Sequence, residues 1–259
     1  MSNETPRFYS GGEAFFIALW RLMTPQKFLN DVIKPYDELN FLLVQRLAFE
    51  PDLSDVTRMA TAVAVALRHI PEFVGTKSKN QRQTLFNESF ENQIIADVAD
   101  GQKHEVSLER KNTLLTGALF EWCPPKGFRF IRNSLFINHA RFQEHDFLKI
   151  TLDAIQYWIQ KLNFSISWKG SGAILEAPAE FHPTAFLFYD PKYCISMKNT
   201  RFRFFSRTES KMLVAIDPDE VRMEIYEKGE QKPKAWFTLR KKELLEKRKA
   251  GIKTWQPAT

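Results

Sequence analysis

Cysteine is nearly absent from this 259-residue chain: Cys123 and Cys194 stand far apart and without metal-ligand spacing. That argues against a disulfide scaffold or a zinc module, and it fits a reduced, cytoplasmic compartment. Long hydrophobic runs are missing too. The apolar stretch Ala14 to Trp20 is interrupted at once by Arg21, too short for a membrane span, and the polar start with Glu4 predicts neither a targeting segment nor membrane association. There is no glycine-rich phosphate loop, because Gly170-Ser171-Gly172 lacks the rest of either nucleotide-binding pattern. Histidines do not converge: His139 and His145 have no third ligand at useful spacing, so both are expected as satisfied polar positions rather than metal ligands. No Ser, Cys or His nucleophile arrangement, internal repeat or low-complexity segment is present, and no cofactor is expected.

What the chain does have is rings and an uneven charge. Phenylalanine occurs 23 times, which suggests a core filled by rings, and the formal charge is +6. From Lys192 to the end there are 17 Lys and Arg against 9 Asp and Glu, whereas residues 1 to 191 carry 20 against 22. The whole positive excess therefore sits in the last quarter, a distribution that favours a polyanionic partner.

The run from Phe142 to Ala177 organises the rest. Phe147, Leu148, Thr151, Leu152, Ile155, Trp158, Ile159 and Leu162 recur at helical steps, with Asp153, Gln156, Tyr157 and Gln160 on the opposite face. Asn163 suits a left-handed helix end. Phe164, Ile166 and Trp168 then alternate with serines as in a strand, Lys169 to Gly172 reads as a turn, and Ala173-Ile174-Leu175 resumes the apolar pattern. Helix, tight connection and hairpin is the order of a winged helix.

Upstream, helices are predicted over Glu13 to Met23, Gln26 to Ile33, Asp37 to Phe49 and Asp55 to His69, punctuated by Pro35, Pro51 and Pro71 and capped at Ser54. Gly75 to Thr84 reads as a linker, Leu85 to Val98 as a helix, His104 to Leu108 as a strand, Thr113 to Trp122 as ambiguous and Phe128 to Ile137 as strand. Downstream, Ala185 to Tyr189 fits a buried strand. Tyr193 to Met197, Phe202 to Ser206, Lys211 to Ile216, Val221 to Tyr226 and Ala235 to Leu239 form a basic antiparallel meander before a charged helix over Lys241 to Lys249. The fold class is thus α+β, divided into a helical subdomain (1–76), a winged-helix-like region (77–190) and a basic β-rich region (191–259).

Three candidate sites follow. The foremost is the strand around Arg201, Arg203, Phe205 and Arg207, whose guanidinium groups and ring on one side suit phosphates and bases, with Lys211, Lys232, Lys234, Arg240, Lys241 and Lys242 adding positive potential. The second is a recognition helix offering Thr151, Gln156, Tyr157, Gln160 and Lys161, with Lys169 at the wing tip, although Asp153 would repel phosphate. The third sets Asp97 or Asp100 before Glu109-Arg110-Lys111 at the end of a strand. That spacing resembles the two carboxylates and lysine with which PD-(D/E)xK nucleases hold Mg²⁺, and the likeness is confined to the spacing. The leading expectation is a nonenzymatic nucleic-acid-binding protein, for DNA before RNA, in replication or transcription control of a plasmid or phage type. The alternatives are an interaction subunit of a larger ribonucleoprotein-type assembly, meeting a protein neighbour through its N-terminal helices, and the Mg²⁺-dependent nuclease.

Overall fold

The computed structural model describes residues 23–45, 48, 53–74, 76, 78–101, 106–168, 175–192 and 200–241. It is α+β, with helices on a mixed sheet and a second, smaller sheet. Helix α1 (Pro25–Phe28) starts at Thr24, whose hydroxyl accepts from the Lys27 amide, and Pro25 occupies the first turn where its missing N–H costs nothing. The chain does not break at Pro35 as expected. A π turn over Leu29–Ile33, in which the Lys34 amide reaches back to Leu29, carries it into α2 (Lys34–Leu42), with Pro35 in that helix's first turn. Helix α2 then stops earlier than the pattern to Phe49 predicts.

Helix α3 (Leu53–Phe73) begins one residue before the expected cap and runs past Pro71. The segment read as a linker is in fact α4 (Lys79–Asn87), held by a reciprocal capping box between Ser78 and Gln81. Ser89 separates it from α5 (Phe90–Gly101), so the single helix expected from Leu85 is two. The segment expected to form a strand up to Leu108 ends instead in a 3-10 turn, Leu108–Arg110.

The ambiguous Thr113 stretch is β1 (Asn112–Cys123), paired antiparallel with β2 (Gly127–His139), which pairs in turn with β3 (Gln143–Asp146). Register shifts between Leu119 and Phe120, so the strand's alternation changes hand: Phe128 and Phe130 face the core between the sheets, while Leu135 and Ile137 face the helical core. Asp146 accepts from the Lys149 amide and starts α6 (Phe147–Lys161). Its predicted apolar stripe is buried from Phe147 to Trp158 and half-buried at Ile159 and Leu162, and Asn163 adopts φ 49° as anticipated.

The wing is corrected. Phe164 to Trp168 and residues 175–180 belong to no strand; Phe164, Ile166 and Trp168 pack on the helical core, and the Trp168 indole donates to Asp37. The turn residues Lys169 to Gly172 lie outside the described residues, as do Tyr193 to Met197, Cys194, the N-terminal helix expected from Glu13 and the terminal helix beyond Lys241.

The meander is corrected as well. Strands β4 (Ala185–Tyr189), β5 (Arg201–Arg207), β6 (Leu213–Ile216), β7 (Glu220–Glu227) and β8 (Ala235–Arg240) are shared between two sheets, ordered β3-β2-β1-β5-β6 and β4-β7-β8. β5 runs parallel to β1, and β4 runs parallel to β7, so strand pairing crosses residue 190 twice. The two sheets pack face to face over Phe120, Phe128, Phe130 and Phe204 from one and Ala185, Leu187, Val221, Met223 and Leu239 from the other. The phenylalanine-rich core expected from composition is here.

Candidate nucleic-acid interface

The strand expected to grip phosphates turns its arginines inward. Arg203 is buried, lies over the Phe136 ring with 5.6 Å to the centroid, and pairs with Glu144 of β3; Arg201 reaches the same carboxylate at 3.4 Å. Phe205 is buried as well, among Leu115, Leu119, Ile131 and Phe136. Arg207 joins Glu121 and Glu176 at 3.2 and 2.6 Å, and Arg129 binds the same two carboxylates. The reading of Arg201, Arg203, Phe205 and Arg207 as a solvent-facing contact strip is therefore corrected. A carboxylate within hydrogen-bond reach is a stronger local partner for a guanidinium than solvent, and two of the three come from the sheet, the third, Glu176, from the segment that follows α6. None of Glu121, Glu144 and Glu176 stood out in sequence. The signal available was Glu121 inside the apolar run of β1, a charge that must find a partner once buried.

These ion pairs set a pH dependence. Burial alone would raise the Glu121 carboxyl, but hydrogen bonds from Arg207 and Arg129 outweigh it and hold it below the usual range; Glu176 behaves the same way, and Asp100 is held down against burial by Arg110 and Arg68. Carboxylates with depressed folded-state values stabilise the protein above their unfolded values, about 4, and lose that contribution as pH falls through the folded ones. The urea midpoint is expected to hold from neutral pH to about 5 and then to fall steeply below about 4. Glu121→Gln should be less stable at neutral pH and show a shallower acid limb.

The nuclease arrangement is corrected too. Asp97 and Asp100 lie one turn apart on α5 and are both bonded by Arg110, at 2.5 and 2.6 Å, while Arg68 adds a bond to Asp100 at 3.1 Å. His139 accepts two backbone amides at Nδ1, which leaves its proton on Nε2 to donate to Asp97 at 3.2 Å. The carboxylates thus serve a clamp joining α3, α5, the 3-10 turn and the end of β2. Glu109 and Lys111 are exposed beside it. His145 is bonded to the Phe142 carbonyl at 2.7 Å. Among the described residues no group of three or more His, Cys, Asp and Glu could hold a metal ion.

On the proposed recognition helix, Thr151 is fully buried and cannot reach a groove. Tyr157 and Lys161 both bond Glu88 at 2.7 Å, Asp153 pairs with Lys149, and Gln156 and Gln160 remain exposed. Of the basic residues added to the first site, Lys211, Lys232, Lys234, Arg240 and Lys241 are exposed, Lys241 with Asp219 at 3.4 Å and Lys234 with Glu227 at 3.4 Å, while Lys169 and Lys242 lie outside the described residues.

A different surface gathers aromatic rings, on the outer face of the small sheet. In the small sheet, Val221, Met223 and Leu239 point into the core, so their neighbours point out. Register places Phe186 beside Glu224, Phe188 beside Tyr226, and Trp236 beside Glu224 on the other side. Phe188 and Tyr226 are stacked with centroids 5.3 Å apart, Phe186 meets both edge-on at 5.9 and 6.4 Å, and His182 extends the row, 5.2 Å from Phe186. Trp236 is 66% exposed and the Arg222 guanidinium lies 5.6 Å from its ring centre. Glu224, which would oppose an anion, is engaged by the Tyr226 hydroxyl at 2.8 Å and by Arg222 at 3.7 Å. Sequence reading missed this face because Ala185 to Tyr189 is apolar at every position and reads as buried on both sides. The clue was size: small and aliphatic Ala185 and Leu187 alternate with the rings of Phe186 and Phe188.

No helix among the described residues is long and apolar enough to cross a membrane. No protein-family model, curated protein or solved structure matches this chain.

Proposed function

We propose that this protein binds single-stranded nucleic acid, without catalysing a reaction on it, on the outer face of the β4-β7-β8 sheet. One observation carries the reading: an outer sheet face that joins a row of half-buried aromatic rings to an exposed tryptophan under an arginine. Bases present flat π faces whatever their identity, and stacking on such rings contributes about 1–3 kcal/mol per base. Double-stranded DNA hides those faces, so a ring platform favours unpaired strands. The exposed lysines and Arg240 around β7 and β8 supply long-range attraction to phosphate. With Arg201, Arg203 and Arg207 engaged internally, phosphate contacts are few and the salt dependence is correspondingly shallow.

Fluorescence anisotropy with labelled oligo-dT, oligo-U and a duplex of equal length tests this. Both single strands should bind more tightly than the duplex, their relative affinity deciding between DNA and RNA. Trp236→Ala is expected to weaken binding about tenfold, the loss of one stacked base, while circular dichroism stays unchanged. Preference for the duplex, or full affinity in Trp236→Ala, would overturn the proposal.

A further inference from the structure

A carboxylate stands among the rings of the small sheet's outer face. Strand register sets Glu224 of β7 directly beside Phe186 of β4 on one side and beside Trp236 of β8 on the other. Its side chain is 16% exposed, so little water competes for it.

This carboxylate is oriented by its neighbours and keeps room to accept. The Tyr226 hydroxyl donates to Oε2 at 2.8 Å, while Arg222 lies 3.7 Å from Oε1, beyond hydrogen-bond reach. A carboxylate has about four lone-pair positions, so the Tyr226 bond leaves a position on each oxygen. Two such oxygens match two parallel N–H donors, as they do in a guanidinium fork. Arg222, beside both Trp236 and Glu224, offsets the repulsion that the carboxylate would exert on a strand's phosphates.

The bases differ in what they can offer to that pair of oxygens. Guanine carries adjacent donors on its Watson–Crick edge, the ring N1–H and the N2 amine. Adenine and cytosine set a ring-nitrogen lone pair beside their amine, and thymine and uracil flank their single N–H with two carbonyl oxygens, so each would turn a lone pair toward the carboxylate. Unpaired strands leave this edge free to be read. We infer that Glu224 makes the ring surface selective for guanine, accepting N1–H and an N2–H of a base stacked beside it on Trp236. The inference rests on the proposed single-strand binding and names the base that the same site prefers.

Fluorescence anisotropy with a short labelled oligo-dT carrying one central guanine, and with the same strand carrying adenine, cytosine, inosine or thymine there, tests it. Guanine should bind about tenfold more tightly than thymine, within the range for one good bidentate contact. Inosine keeps N1–H and lacks the N2 amine, so it should fall between them. Glu224→Gln, which retains an acceptor for the Tyr226 hydroxyl, should bring the guanine-to-thymine ratio close to one with circular dichroism unchanged. Equal affinity for every strand, or a guanine preference that survives Glu224→Gln, overturns this inference and leaves single-strand binding standing. No binding to any of the strands overturns both.

Discussion

Glu144→Ala is expected to destabilise the protein by about 3–5 kcal/mol, the range for removing one partner of a buried ion pair. Side-chain exposure is 3% for Glu144 and 7% for Arg203, so neither charge can turn to water when the other is lost. Arg203 would be left charged over the Phe136 ring, and Arg201 would lose its bond to the same carboxylate. The effect belongs to a buried guanidinium that loses its carboxylate rather than to the pair's intrinsic strength, because taking both ions out of water offsets most of their attraction. Glu144→Leu combined with Arg203→Leu should therefore recover most of the loss, and a double variant as unstable as the single would refute this account. Urea unfolding of the single and double variants, with Arg203→Leu completing the cycle, measures it.

Gly117→Val is the second large effect, expected at about 3 kcal/mol or more, the upper end for forced overpacking. A Cβ at Gly117 would stand 2.7 Å from the Arg201 carbonyl oxygen and 2.7 Å from the Phe136 ring. The first contact is with backbone in the parallel β1–β5 pairing, where Gly117 faces Arg201, so relief requires the strands to separate. Gly101→Ala is the control: the nearest atom to its added Cβ is the side-chain amide nitrogen of Asn112, 3.0 Å away, which can shift. Thermal unfolding should separate the two by a wide margin. Similar costs would mean that the β1–β5 spacing is not what requires glycine at position 117.

Both effects sit where strands distant in sequence meet, and the same places divide what was legible from what was not. Helix α6 was readable because its stripe is local: residues three and four apart share a face whatever packs on it, and Asn163 ends it by its own backbone tolerance. The capping box at Ser78 and Gln81 was equally local and was outweighed in reading by the polar composition around it. The Phe164 to Trp168 alternation has the period of a strand yet pairs with no strand among the described residues, and its rings pack on the helical core instead.

The primary structure alone determined the α+β class, most of the secondary elements and the concentration of positive charge near the carboxyl end, because these follow from periodicity, turn residues and counting. That both sides of β5 are covered was decided by tertiary structure: Phe204 enters the core between the sheets, and only the arrival of Glu144 and Glu121 from other strands lets the arginine side be buried as well. The same holds for the outer face of the small sheet, where Phe188 and Tyr226 become neighbours only through the parallel pairing of strands some thirty residues apart. Local pattern sets what a segment can be. Long-range pairing sets what each of its faces touches, and in this protein that choice moved the candidate interface from a row of arginines to a row of rings.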